Sequence, residues 1–245
     1  MIVYWLTAGV VVVLRMNKLT HATVGLLERR WLKNATVLAV RTWEPATIIE
    51  IDLHMPDVDM GKWQRTQHMK CKVGSLAYRD YSPTGWDIET RTCTLLIDAG
   101  HEGQGSTWVR GLKVGDIVRY MGVSSSHHEP TPGKRMVFLG DETAIGHFLS
   151  LHQLAGHEAC IDGVITLAHK NHREEFNRYF SGLGLQTLDK NGTSLEEWVA
   201  AFDTNEGDST IFYLAGYIPA IMKLRKILKA KGYNGSQIKC QGFWN

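Results

Sequence analysis

Arg79 and Tyr81 stand two residues apart in the stretch AYRDYSP, residues 77–83. Side chains two apart on an extended strand leave from the same face, so a guanidinium and a phenol ring are presented together. The guanidinium is a planar fork of donors suited to a phosphate. The ring offers a flat apolar face with a hydroxyl at its tip. Ser82, at the strand end, could donate a hydrogen bond to a ring nitrogen. The three together suit a nucleotide with a planar head group. On this stretch alone the plainer reading, a surface Arg79–Asp80 pair beside a half-buried tyrosine, stands first.

Further stretches add to it. In DAGHEGQGSTW, residues 98–108, glycines at 100, 103 and 105 follow a strand, and Ser106-Thr107 open a helix that carries Trp108. Glycines let backbone N–H groups approach an anion, and a helix start adds partial positive charge. A diphosphate would fit, as would a plain glycine turn capped by serine. FLGDETAIGHFL, residues 138–149, contains Gly140, Asp141 and Thr143 at a strand-to-helix turn, where doubly wound sheets bind nucleotides. It is no G-x-G-x-x-G, and Asp141 and Glu142 would repel a phosphate. Thr143 as a helix cap is the plain account. In LAGYIPAIMKLRKIL, residues 214–228, Ala215-Gly216 lead from a strand into a basic amphipathic helix. The closing CQGFWN ends in Phe243 and Trp244, either core packing or a cover over a flat ligand.

Other chemistries find less support. His147, His152 and His157 are spaced by five, whereas a zinc helix uses i and i+4. His169-x-x-His172 lacks a partner at ligand spacing, so these histidines are expected to be solvated or phosphate-facing, with no metal. No G-x-S-x-G and no Cys–His arrangement supports a nucleophile.

The elements that must position these residues fall into two rhythms. Short β-branched runs at Ala35–Thr42, Thr47–Leu53, His68–Val73, Leu76–Tyr81, Arg91–Ile97 and Ile117–Met121 predict a six-stranded antiparallel barrel with one helix near Thr107–Leu112. The polar, proline-bearing segment 124–135 reads as a linker. Beyond it strands at Met136–Gly140, Ile161–Ala168, Gly184–Leu188, Thr210–Ala215 and Gln237–Gly242 alternate with helices at Thr143–Leu154, after Ser194 and at Pro219–Lys231. Alternation of this kind implies a doubly wound parallel sheet. The domains are then residues 1–32, an extension and helix; 33–123, the barrel; 124–135, the linker; and 136–245, the α/β domain.

Composition sets the class. The chain has 245 residues, 44% hydrophobic and 21% charged, with a net charge of +2, which is ordinary globular composition. Acids and bases are interleaved, which argues against a nucleic-acid partner. Four scattered cysteines read as free thiols in a reducing, cytoplasmic compartment. The apolar run 1–14 is short of the roughly 20 residues of a membrane span. It reads as an extension before Met16, with a buried element or a membrane anchor as the lesser alternatives. A helix is expected over Thr20–Lys33, with Val24, Leu27 and Trp31 on one face.

The four nucleotide-like stretches, in this order, resemble the siderophore-interacting protein family, flavin-dependent ferric-siderophore reductases within the ferredoxin–NADP reductase superfamily. The family's arginine-x-tyrosine-threonine motif is matched by Arg79-Asp80-Tyr81-Ser82, with serine for threonine. Its glycine-proline-alanine-x-x-tryptophan segment is matched in part by Gly103, Gly105 and Trp108. G-D-E-T-A is intact at Gly140–Ala144. Alanine-glycine before a helix with an L-R pair appears as Ala215-Gly216 and Leu224-Arg225, and the terminal motif as Gly242-Phe243-Trp244. The likeness covers about residues 33 to 245. It departs at Ala99, Gln104, Gly146, Tyr217 and Asn245, where the family has histidine, proline, proline, an acid and arginine.

The resemblance implies an FAD-binding barrel followed by an NAD(P)H-binding domain. Arg79 would hold the flavin diphosphate, Tyr81 would lie against the isoalloxazine and Ser82 would reach toward its N5. Backbone from Gly103 to Ser106 would complete the diphosphate site, with Gly100, Thr107, Trp108, Gly140, Asp141, Thr143, Ala215, Gly216 and Trp244 at the remaining cofactor positions. Electrons from NADPH, NADH or a ferredoxin would reach a ferric siderophore through FAD and release Fe(II), with no acid–base pair required. A general flavin reductase or electron-transfer flavoprotein, and a non-catalytic siderophore-binding protein, are the alternatives. For a nicotinamide donor the stretch HKNHR, residues 169–173, favours NADPH. Lys170 and Arg173 follow the second strand of the α/β domain, where cations read a 2′-phosphate and an acid reads a free hydroxyl. A solvated basic turn opening a helix is the alternative there.

Overall fold

The computed structural model describes residues 2–7, 10–15, 31–192, 194–202 and 209–244. The helix expected over Thr20–Lys33 lies almost wholly outside them. Residues 1–33 and 34–245 are two compact units. In the first, β1 (Ile2–Thr7) and β2 (Val10–Arg15) pair as an antiparallel hairpin, Ile2 opposite Arg15.

The second unit begins with β-branched, alternating strands. They are β3 (Lys33–Trp43), β4 (Ile48–His54), β5 (Gln67–Lys72), β6 (Tyr78–Tyr81), β7 (Pro83–Asp87), β8 (Thr92–Asp98) and β9 (Ile117–Ser125). Their order across the sheet is β6-β5-β9-β3-β4-β8-β7. Consecutive strands β6 and β7 therefore lie at opposite edges, yet Ser82 alone separates them. The sheet has to roll until its edges meet, which closes it into a barrel. Inward residues such as Val37, Ile51, Leu53, Met69, Cys71, Leu95, Val118 and Tyr120 are wholly buried in one core. The sheet has seven strands where six were expected. Pro83 and Gly85 read as a turn, but Pro83 is the first residue of an edge strand, where a missing N–H is harmless. Helix α1 (Gln104–Arg110) opens three residues earlier than expected.

The α/β half has strands β10 (Arg135–Asp141), β11 (Ile161–Leu167), β12 (Gln186–Asp189), β13 (Thr210–Tyr217) and β14 (Ile238–Trp244). All neighbours are parallel, in the order β12-β11-β10-β13-β14. Such buried strands read as apolar runs because both faces are covered. Helices α2 (Ile145–Ala155) and α3 (Lys170–Tyr179) contribute to one core with Phe138, Phe148 and Phe176. Helices α4 (Leu195–Ala201) and α5 (Ile218–Ala230) contribute to the other with Val199, Phe212 and Leu224. The capping box read at Ser194 is present: Glu197 N–H donates to Ser194 Oγ, and Ser194 N–H donates to the Glu197 carboxylate.

The two halves share packing. Trp43 and Ile48 of the barrel are buried in the α/β core with Met136, Phe138 and Ile145. The Trp43 ring stacks on Phe180, with centroids 6.2 Å apart, and meets the edge of His172 at 6.0 Å. From helix α2, Gln153 accepts a hydrogen bond from Trp86 N–H at 3.2 Å and donates one to Trp86 O at 2.8 Å. It thereby covers part of the exposed edge of β7. These contacts fix a cleft between the barrel and the carboxyl ends of β10 and β11.

Candidate functional site

The cleft has a volume of about 620 Å³ and is lined from both halves. Arg79, Tyr81 and Ser82 supply one wall, and Gly100, Gly103, Gly105 and Ser106 supply the adjoining floor. From the α/β half come Thr143, His172, Lys190 and the C-terminal Phe243 and Trp244. Residues separated by more than 160 positions meet there.

Arg79 and Tyr81 do share a face, as alternation requires. They sit opposite Cys71 and Met69 in the β5–β6 ladder. Asp80 faces the other way and pairs with Lys70 at 3.4 Å. The expected surface Arg79–Asp80 pair is therefore absent. Arg79 Nη1 donates to the Tyr78 carbonyl at 2.8 Å, and among the described residues the guanidinium has no carboxylate partner.

Behind Tyr81 lies Trp108, its ring nearly parallel at 5.9 Å. Beneath it lies Gly105, where a β-carbon would come 2.7 Å from the Tyr81 hydroxyl and 3.4 Å from Arg79 Cγ. Burial, and then the neighbouring Cys71, push the Tyr81 hydroxyl above its ordinary pKa, so it stays protonated. Ser106 is not the helix cap that its position suggested. It lies inside the first turn, 2% exposed, and its Oγ has no partner among the described residues. Thr107 faces away and donates its hydroxyl to Gly103 O at 3.0 Å. The first intrahelical bond is Thr107 N–H to Gly103 O at 3.0 Å, so the preceding N–H groups are those a helix start leaves unpaired.

On the opposite wall Asp141 accepts from Thr143 N–H at 2.9 Å, from Thr143 Oγ1 at 2.5 Å and from Tyr217 N–H at 2.8 Å. Its carboxylate lies over Gly216, where a β-carbon would meet it at 2.5 Å. Gly140 is equally confined, since a β-carbon there would come 2.5 Å from Ala215 O. Gly140, Asp141, Ala215 and Gly216 thus clamp the ends of β10 and β13 and do not line the cleft; Thr143 does. Burial raises the Asp141 pKa, and its bonds to Thr143 and Tyr217 act the other way.

Lys170 and Arg173 do not reach the cleft. Lys170 pairs with Glu174 at 3.4 Å, and Arg173 binds Asp189 at 2.8 Å and the Leu167 carbonyl at 2.8 Å.

Several lining residues were not among the expected cofactor positions. Glu142 holds Lys190 at 2.9 Å through Oε1, and its buried Oε2 has no partner among the described residues. His172, expected to be solvated, is 2% exposed, with Nε2 unpartnered. Burial, then the nearby His169, lower its pKa and keep the ring neutral. The signal for these residues lies in the sheet order, which brings the ends of β10, β11 and β12 side by side. Gly146, where the resembled family has proline, lets helix α2 approach the barrel seam; a β-carbon there would sit 3.0 Å from Ser82 O. Trp244 stacks on Tyr217 at 4.3 Å and closes one end of the cleft.

No family model and no curated protein matches the chain. Solved structures do. The siderophore-interacting protein from Acinetobacter baumannii is 18% identical with a TM-score of 0.71, over 87% of this chain and 90% of that one. The ferredoxin reductase of a carbazole 1,9a-dioxygenase is 17% identical with a TM-score of 0.71, over 86% and 69%. The FAD/NAD-binding domain of a nitric oxide dioxygenase from Vibrio cholerae is 15% identical with a TM-score of 0.67, over 87% and 99%. The shared property is the fold: an antiparallel barrel followed by a five-stranded parallel sheet, as in ferredoxin reductases and siderophore-interacting proteins.

Proposed function

We propose that the cleft binds FAD, and that the chain is an oxidoreductase taking electrons from NADPH, NADH or a ferredoxin and delivering them to a ferric siderophore. The observation that carries the flavin reading is the buried Ser106 Oγ, unpartnered among the described residues, in the same cleft as an Arg79 guanidinium without a carboxylate partner, over a floor that only glycine at position 105 allows. A buried hydroxyl without a partner costs about 1–3 kcal/mol, which a phosphate oxygen in the cleft would offset. The donor set fits a diphosphate: a fork from Arg79, the Ser106 hydroxyl and the unpaired N–H groups at the start of α1.

When bound, FAD supplies the conversion of a two-electron donor into single-electron steps. Tyr81, braced by Trp108, would offer its open side to the ring system, and Ser82 a hydrogen bond at the seam. Phe243 and Trp244 would exclude water from that end. A ferric chelate releases iron on reduction because Fe(II) binds hard oxygen ligands more weakly. An NADPH preference would require Lys170 to leave Glu174 and Arg173 to release Asp189.

Arg79→Ala tests the flavin site. It should weaken FAD binding by roughly 1.5–3 kcal/mol for each charge-assisted hydrogen bond lost. Wild-type FAD occupancy after dialysis of the variant would place the flavin elsewhere. Turnover of a ferric chelate by the yellow protein separates a siderophore reductase from a general flavin reductase. Anaerobic bleaching by NADPH and NADH, in wild type and in Lys170→Ala, reads the donor preference.

A further inference from the structure

The charges around the cleft say which ferric chelates it can admit. Three carboxylates of its lining, Asp98, Glu102 and Glu142, stand against two permanent cations, Arg79 and Lys190, while the Asp80 carboxylate turns away to Lys70. Lys190 is already bound to Glu142, at 2.9 Å. Arg79 is the cation facing the glycine floor, where a flavin diphosphate would take its charge. Asp98 Oδ1 accepts from Gly100 N–H at 2.8 Å, and its Oδ2 has an imidazole, His101, at 3.5 Å. Glu102 has no cationic partner among the described residues.

Of the lining histidines, His172 adds no charge. His172 is held neutral by burial and by His169, while His101 and His169 are exposed rings. Two buried atoms of residues that line the cleft, Glu142 Oε2 and His172 Nε2, lack hydrogen-bond partners among the described residues. A carboxylate oxygen is an acceptor, and so is a neutral imidazole nitrogen without its proton. Both invite donors or positive charge, and neither invites a phenolate oxygen. Once a diphosphate occupies the Arg79 side, the remaining space is bounded by an excess of negative charge.

We propose that the electron acceptor of this cleft is a neutral or cationic ferric chelate of the hydroxamate class, and that anionic ferric tris-catecholates are excluded. The inference rests on the ferric-chelate reading above and narrows it. Ferric iron with three monoanionic hydroxamates is neutral, and a pendant ammonium makes the chelate a cation. The same ion with three catecholate dianions is a trianion. Like-charge juxtaposition opposes its entry, and a cleft lined by one sign of charge changes encounter rates by at least about tenfold. The redox step balances with the donor named above. Two electrons leave one reduced nicotinamide, its hydrogen goes to water as a proton, and two ferric ions each take one electron.

The test uses flavin-loaded protein and redox-inert gallium(III) chelates, which match the ferric complexes in size and charge. Binding of a gallium trihydroxamate and of a gallium tris-catecholate is read by quenching of tryptophan fluorescence. At low ionic strength the trihydroxamate should bind at least about tenfold more tightly, and the gap should narrow in high salt as charges are screened. Glu102→Gln should narrow it at low salt as well, without changing trihydroxamate binding by more than about twofold. Equal or tighter binding of the tris-catecholate at low salt overturns the proposal and leaves the reductase reading standing. If neither chelate binds the yellow protein, the ferric-chelate reading falls and the proposal with it.

Discussion

At Gly105 a β-carbon would stand 2.7 Å from the Tyr81 hydroxyl, while the next Tyr81 atom is 4.0 Å away. Because Trp108 stacks behind the tyrosine ring, the ring cannot retreat. Gly105→Ala should therefore destabilise the fold by about 1–3 kcal/mol, the usual cost of overpacking. Tyr81→Phe removes the clashing oxygen, so Gly105→Ala should cost much less in a Tyr81→Phe background. Urea denaturation of the four proteins of that cycle checks it. An equal cost in both backgrounds would mean that the hydroxyl is not what holds position 105 to glycine. The same residues show what was legible at this scale. Strand alternation puts Arg79 and Tyr81 on one face from sequence alone, but nothing in the stretch shows that Asp80 turns away to Lys70. Nor does the sequence reveal the Glu142–Lys190 pair, whose members are 48 residues apart. Parallel sheet order brings them together, and a motif cannot contain it.

The segment between β9 and β10 is strapped down by histidines. Ser126 N–H donates to Thr66 O at 2.8 Å and Thr66 N–H to His128 O at 2.9 Å. His128 Nδ1 and His147 Nε2, both 1% exposed, share a hydrogen bond of 2.8 Å. Burial, then the charge of Lys239, lower the His128 pKa to about 4; burial, then His128, push His147 well below its usual range. The unfolded chain takes up these protons near pH 6.5, and the folded chain does not. The stability is thus complete above about pH 6.5 and lost as pH falls toward about 4, by about 1.4 kcal/mol per pH unit for each excluded proton. His147→Gln should lessen that slope by about one proton, measured as urea midpoints between these pH values. An unchanged slope would locate the acid sensitivity elsewhere. Of His147, His152 and His157, expected to be solvated, His147 is buried, His152 is half-buried and His157 is exposed. Helix α2 ends at Ala155 and the chain turns at Gly156 with φ of 78°, so the His152 and His157 rings come within 6.4 Å. Regular helical spacing does not survive a left-handed glycine. Most elements were legible from period and turn residues. Strand β7 was hidden behind Pro83 and Gly85, whose turn chemistry is also compatible with a barrel edge.

For the whole molecule the first division is between residues 1–33 and 34–245, the two compact units. Every residue lining the cleft belongs to the second. A chain beginning at Met16 should consequently remain soluble and retain the flavin affinity of the full chain, measured by titration of apoprotein with FAD. An insoluble or flavin-free product would show that the apolar hairpin is needed by the larger unit. Within that unit no helix of the described residues is long and apolar enough to cross a membrane. The barrel closes across one residue, Ser82, and Ser82 also lines the cleft. The circumference of the barrel and the width of the cleft are accordingly set at the same place. An added residue there would either let the rolled sheet spring open or push the seam into Gly146, where even a β-carbon would stand 3.0 Å from the Ser82 oxygen. Lineages descending from this sequence inherit the seam at fixed length.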